Sequence, residues 1–435
     1  MKKWLQLFLA IVLMTPAAAC RKDNNELDPT KQYSIKVLVQ DELLFTQNYV
    51  APIMSKHPNV DLNLITFDMK PPADLDKFKR VLTDEQPDLI AFSGNVYYDQ
   101  LNDGTLMDLG ELMKRDRFGD DLYKPVLDVL KDNEKDQLFG LSPGFNSYAI
   151  YYNKDIFDRL GVPIPQEGMT WDELFHLSEQ ITNASKAFGE PIYGLSFEIP
   201  SLTGILTVIG QFGGLSMVDA SGKTVVIDSP AWRPVIAKLV NGVRNGSIGY
   251  RKSAGESNPL ASDLFLTGKS AMALRHYGFH HNVELYEKTQ QKTPLAEQWD
   301  VVTVPGREGD SLQGPISVAE IFSIPTTSPN PEVAWALIKD IHGKEFALLR
   351  SKLPTGDLPS VTNVMNEVQG RSTAPFYRFT SAVTRNRNMP EGAALDVAGD
   401  PYLTTVIEQG LPEDTYIPEL IKLLQDQLDL AHLSK

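Results

Sequence analysis

Three features of the chain carry residue types that do chemistry. The segment Gly140-Leu141-Ser142-Pro143-Gly144 fits the G-x-S-x-G pattern of a serine nucleophile. That chemistry needs a strand, a strained turn and then a helix that exposes the hydroxyl. Here Pro143 follows the serine and the chain runs on into the apolar stretch Ala149 to Tyr152, so a plain turn is the simpler reading. His276 and His280 lie four apart, with His281 next to the second. On a helix the first two would share a face and could hold zinc. Tyr277 stands where H-E-x-x-H has its glutamate, so polar lining or surface histidines are expected and no metal is. The third feature is Cys20, the sole cysteine of 435 residues.

The first twenty residues, MKKWLQLFLAIVLMTPAAAC, explain that cysteine. Lys2 and Lys3 form a basic n-region, Trp4 to Met14 an apolar run too short to span a bilayer, and Ala17 to Ala19 a small-residue cleavage site. A secretory signal ending at Cys20 reads as a lipoprotein signal. Residues 1–19 would be removed and the Cys20 thiol lipidated, with palmitate as an expected acyl group, holding the N-terminus at a membrane. The position three before the cysteine holds Ala17 where the usual lipobox has Leu, which leaves ordinary secretion open. With Cys20 used, no thiol is left for a disulfide, a thiolate metal site or a cysteine nucleophile.

Composition narrows the partners. Hydrophobic residues make up 42% of the chain, enough for a sizeable core, and the length suggests two or three domains. Losing Lys2 and Lys3 with no acid takes the formal charge from −15 to −17. Such a body repels nucleic acid phosphates and anionic lipid headgroups, so neither is an expected partner beyond the N-terminal lipid. No later apolar run approaches the about 20 residues of a membrane span. Neither G-x-x-x-x-G-K-[ST] nor G-x-G-x-x-G occurs, and no cofactor is expected. Gly210 to Gly214 reads as a helix end whose turn could face a cleft.

The elements that must position any site follow from periodicity. Residues 20–32 are polar and read as a tether. Ser34 to Val39, Val60 to Phe67 and Leu89 to Phe92 read as strands. Helices over Phe45 to Ser55 and around Leu75, Phe78 and Leu82 separate them, which argues for a parallel α/β sheet. Ala149 to Tyr152, Ser270 to Leu274, Val301 to Val304 and Ala319 to Ile324 read as further strands. Thr170-Trp171-Asp172-Glu173 is a capping box opening a helix through Ile181. Asp228-Ser229-Pro230 starts a helix to about Val243, Asn330-Pro331-Glu332 one that closes at Gly343, and Pro418 to Leu433 is an amphipathic tail helix. Trp171, Trp232, Trp299 and Trp335 read as core anchors rather than platforms for a ligand.

Four blocks carry a family resemblance. Pro87-Asp88-Leu89-Ile90 followed by Asp99 to Leu109, Ala149 to Leu160 (AIYYNKDIFDRL) followed by the T-W-D-E box, Leu264 to Leu274 (LFLTGKSAMAL), and Asn330 to Ile341 (NPEVAWALIKDI) occur in the order seen in ABC-importer solute-binding proteins. The chain thus resembles extracellular solute-binding proteins of family 1, the group containing maltose- and other sugar-binding proteins. The resemblance implies a type II periplasmic-binding-protein fold: two α/β lobes, a hinge and an interlobe ligand cleft. Crossings are expected near Ser142 to Ser147 and Gly314 to Val318, with a return around Thr355 to Val368. This gives lobe 1 as 33–143 plus 316–360, and lobe 2 as 144–315 plus 361–435. It implies a monomer that performs no chemistry, captures a small solute, with a sugar or oligosaccharide expected, and delivers it to permease subunits.

Loops after strands should build the cleft. Candidates are Gln40, Asp41, Ser93, Asn95, Tyr97 and Tyr98 in the first lobe, and Phe145, Asn146 and Tyr148 near the crossing. In the second lobe they are Gln211, His276, Tyr277 and Phe279, with Glu320 near the second crossing. A sugar needs flat apolar faces for its C–H surfaces and planar polar groups for its hydroxyls, and this set supplies both. The plainer alternative is that half of them close loops or pack in the core, as Asn95 and Tyr148 easily could. A secreted glycan-acting hydrolase stays open as an alternative, although no carboxylate pair stands out. So does a surface receptor or adhesin with the same fold.

Overall fold

The computed structural model describes residues 27–67, 74–100, 104–132, 136–251, 259–290, 298–306, 312–318, 320–351, 356–382 and 391–433. Two sheets organise it. The first has the order Glu320–Ser323, Leu89–Ser93, Tyr33–Val39, Val60–Thr66. Tyr33–Val39 is parallel to both of its neighbours, as the alternation of strands and helices requires. Glu320–Ser323 arrives from far along the chain and pairs antiparallel with Leu89–Ser93, making the sheet mixed. Pro52 has no amide to give the preceding turn, and just before it the helical run 42–56 widens into a π turn over Thr46–Val50.

The second sheet has the order Ile248–Tyr250, Tyr193–Phe197, Ser270–His276, Tyr148–Asn153, Trp299–Thr303. Tyr193–Phe197 is parallel to Ile248–Tyr250 and Ser270–His276, and Tyr148–Asn153 is antiparallel to both of its neighbours. The capping box forms at Thr170 and Glu173. Its helix, Trp171–Ala187, runs past Ile181 because Thr182 and Ser185 are buried and bonded to local carbonyls rather than ending the turn. The next long helix is Trp232–Asn245, starting two residues after Pro230, with Gly246 at φ +80° closing it.

Helices Pro331–Ile341 and Lys344–Arg350 return to the first sheet. Asp88, 2% exposed, accepts from Lys36 N at 2.9 Å and from the Asn330 amide N–H and side chain, both at 3.0 Å, so the N-P-E helix start is pinned to the sheet. Trp335 is buried and its Nε1 donates to Asp116 at 2.7 Å. Trp232 and Trp299 are buried too, and Trp171 packs on Phe175 and Phe212. The chain ends in Glu391–Gln409 and Glu413–Leu433, which pack together, the first of them also against Leu202–Phe212. Pro401 lies inside the first of these, whose buried Leu395, Leu403 and Val406 share one face.

Three short strands, Ser317–Val318, Gly144–Asn146 and Leu358–Pro359, form a separate antiparallel sheet between the two large ones. Around it Tyr123, Phe145 and Tyr377 pack with ring centroids 5.0 to 5.2 Å apart. The molecule is thus two α/β lobes joined at a hinge through which the chain passes three times.

Candidate functional site

The first lobe presents its strand ends to this hinge. Gln40, just past Tyr33–Val39, accepts from Ser93 N at 2.6 Å and so locks two strand ends together. Glu320 pairs with Ser93 in the sheet. Behind it lies a buried polar chain: Glu320 bonds the Tyr49 phenol, Arg350 donates to the Tyr49 oxygen, and Arg350 lies 3.6 Å from Asp357, which accepts from Asn146 Nδ2 at 2.8 Å. Burial pushes the Glu320 and Asp357 carboxyls up, and the Arg350 guanidinium opposes the rise at both.

The second lobe contributes the end of Ser270–His276. Tyr148 and His276 face each other in the register, and their rings meet edge to face at 6.5 Å. Burial pushes the His276 imidazole down, with the Glu198 carboxylate opposing, and its Nδ1 has no hydrogen-bond partner among the described residues. Tyr277 is buried, its hydroxyl towards Met365 Sδ at 3.5 Å. At Gly278 a Cβ would come within 3.0 Å of Gly356 O, so the loop abuts the returning chain and glycine is what fits there. Half-buried Gln211 precedes Phe212, whose ring meets Tyr148 at 6.0 Å.

The geometry sorts the remaining candidates. Tyr97 faces the core, 0% exposed, with its hydroxyl given to Leu130 O at 2.7 Å. Tyr98 is half-buried and donates to Val129 O at 3.1 Å. Phe279 and Phe145 are buried in aromatic clusters. Apolar rings at these positions gain more by leaving water than by lining an open surface. Asp41 caps a helix, accepting from Leu44 N at 2.9 Å. Asn95 sits in Gly94–Gln100, and its side chain and Cys20 lie outside the described residues. Tyr49, Arg350 and Asp357 carry no local signal: each is an ordinary residue in sequence, and only the tertiary fold buries their polar atoms together.

The reactive-looking motifs take other roles. Ser142 is 2% exposed, donates to Gly144 O at 2.7 Å and leads into a strand, not a helix. His276 ends a strand whereas His280 opens Phe279–Gln290, so the two do not share a helix face. His280 Nδ1 bonds Tyr277 O at 2.8 Å, and burial pushes its imidazole down to about 4. No three candidate metal ligands cluster among the described residues.

Two hinged α/β lobes with polar, aromatic strand ends meeting at the hinge define a two-lobe binding fold of the periplasmic-binding-protein type. Residues 29–339, most of the chain, match the bacterial extracellular solute-binding protein family, and the chain belongs to that family. The fold is similar to that of an extracellular solute-binding protein family 1 member from Alicyclobacillus acidocaldarius (TM-score 0.70, 14% identity, 92% of this chain and 100% of that one). It is likewise similar to the sugar-binding protein MalE from Xanthomonas citri (0.69, 17%, 92% and 98%) and to an open-form sugar transporter protein from Rhizobium etli (0.67, 18%, 91% and 99%). No curated protein matches the sequence.

Proposed function

We propose that this protein is the solute-capturing subunit of an ABC importer, a monomer tethered to the membrane by a lipid on Cys20, with a sugar or oligosaccharide as its solute. The observation that carries the reading is the three-stranded hinge sheet joining two lobes whose strand ends face it. A solute touching both lobes gains its full set of contacts only when they close, so binding shifts the population towards the closed form. Permease subunits would then recognise that form. Lobe boundaries at 33–143 plus 316–360 and 144–315 plus 361–435 are supported by the hinge strands at 144–146, 317–318 and 358–359. We assign ligand contact to Gln40, Ser93, Asn146, Tyr148, Gln211, His276 and Glu320, with Asp41 at the rim. Their amides, carboxylates and ring faces suit hydroxyls and C–H surfaces. The sugar-binding protein of Xanthomonas citri and the Rhizobium etli sugar transporter protein support a carbohydrate. The protein does no chemistry in this reading, and the enclosed Ser142 hydroxyl supports that.

The test is thermal unfolding of a soluble form beginning at Arg21 against a panel of mono- and oligosaccharides. Free ligand at 100 times its dissociation constant adds about 2.7 kcal/mol. A panel with no shift sinks the sugar assignment.

A further inference from the structure

One side-chain pair clips the first pass of the chain through the hinge to the third. Leu358 faces Phe145 and Pro359 faces Gly144 in the antiparallel register, so Asp357 and Asn146 stand opposite each other one step beyond the last backbone pair. Asn146 leads into the second sheet through Tyr148–Asn153, whereas Asp357 follows the first-lobe helix Lys344–Arg350. Rotation of one lobe against the other therefore acts on this contact.

The contact is only half made. Asn146 Nδ2 donates to Asp357 Oδ1 at 2.8 Å, but Asn146 Oδ1 is buried and has no hydrogen-bond partner among the described residues. A buried carbonyl oxygen left in this way is costly. An ionised carboxylate opposite it cannot help, because it only accepts. A neutral carboxyl can. Its Oδ1 still accepts from Asn146 Nδ2, and a proton on Oδ2 can be donated to Asn146 Oδ1, which closes the two-bond ring of an acid–amide pair. Arg350 Nη2 is 3.6 Å from Asp357 Oδ2, beyond hydrogen-bond reach, and so does not hold that oxygen.

The surrounding charges favour such a proton. Arg350 stands against two carboxyls, Asp357 directly and Glu320 through the shared Tyr49 hydroxyl. With both ionised, the cluster carries one negative charge in excess, and Asp41 adds another beside Glu320. Burial pushes the Asp357 carboxyl up, with Arg350 opposing. From the second lobe, the Tyr277 phenol faces Asp357 and is kept protonated by burial. His281 packs by Gly356, its ring Cδ2 3.8 Å from where a Gly356 Cβ would stand.

We infer that Asp357 and Asn146 form a proton-operated clip on the hinge. In mild acid the neutral carboxyl holds the amide by two hydrogen bonds and keeps the lobes at the angle described here. Towards neutral pH one bond remains and the lobes turn more freely. Protons thereby set how readily the lobes rearrange, whatever the solute.

The test reads lobe separation with no solute present, so its outcome is separate from that of the capture reading. Spin labels are placed on the Cys20→Ser chain at Asp84→Cys, on the first-lobe helix Leu75–Glu85, and at Gln180→Cys, on the second-lobe helix Trp171–Ala187, both exposed positions. Label-to-label distances are measured at pH 7.5 and pH 4.5, with circular dichroism checking the fold at each. With Asp357 present, a narrow distribution at pH 4.5 should give way at pH 7.5 to a broader one, the ratio of the two populations shifting about fivefold, the net worth of one hydrogen bond. Asp357→Asn carries an amide that both donates to and accepts from Asn146, so it should show the low-pH distribution at both pH values. Asp357→Ala makes neither bond and should show the broad distribution at both. If the alanine variant does not fold, the asparagine variant decides alone. A distribution that ignores pH with Asp357 present overturns the clip. So does a pH response that persists in Asp357→Asn, which would assign it to His281 or its neighbours instead.

Discussion

Asn146 donates its side-chain amide to the Asp357 carboxylate across 2.8 Å, tying the first strand through the hinge to a residue 211 positions later. Asp357 is buried and faces Arg350 at 3.6 Å, so the amide helps to compensate a charge that has left water. Asn146→Ala should lower stability by about 1–3 kcal/mol in urea unfolding. The double variant with Asp357→Ala should cost less than the two single losses added, because both remove the same contact. Strict additivity would show that the contact carries no energy.

Gly194 marks a close approach of a helix to the second sheet. A Cβ there would sit 2.1 Å from Ser178 O and 2.4 Å from Ser178 Cα, both backbone atoms of the helix Trp171–Ala187. A flexible side chain could swing aside, but a helix backbone cannot. Gly194→Ala is expected to cost roughly 3 kcal/mol or to prevent folding. A variant that unfolds at the wild-type urea midpoint would mean the helix can shift freely over the strand.

Two buried histidines give the fold an acid weakness. Burial pushes His280 and His342 down to about 4 each, despite carbonyl hydrogen bonds that favour the charged form. An unfolded imidazole titrates near 6.5. Between about pH 6.5 and about pH 4 the unfolded chain therefore binds protons that the folded chain refuses. Their contribution is complete above about pH 6.5 and shrinks as pH falls through that window. Imidazole NMR should show both rings neutral at pH 5.5, and His280→Gln should flatten the loss of stability between pH 6.5 and 4.5. Titration of both rings near 6.5 would refute this.

Much of the fold is legible in the sequence because the signals are local. The Thr170–Glu173 box, the strand Tyr33–Val39 and the N-P-E helix start depend on neighbours within a few residues, and each forms where its pattern lies. The site was less legible. Tyr97 and Tyr98 follow a strand as cleft residues would, yet the helix that begins at Gly94 turns Tyr97 into the core. The Tyr49–Arg350 contact joins residues 301 positions apart, and no pattern in either neighbourhood announces it. Polar groups buried by tertiary structure leave no periodic trace.

Cys20 is the residue on which the proposed membrane tether depends. No helix among the described residues is long and apolar enough to cross a membrane, and the acidic chain, at −15, is repelled by anionic headgroups. A thioether-linked lipid with a second acyl chain would give stable anchoring where a single chain gives only marginal binding. Cys20→Ser removes the only thiol. The expected outcome is loss of lipid labelling, with the protein either released or left unprocessed, read by mass spectrometry and fractionation of membrane and soluble pools. A Cys20→Ser protein that is fully processed yet stays in the membrane fraction would place the anchor elsewhere. Wild type that is cleaved but carries no lipid would assign Ala17 to Ala19 to ordinary secretion.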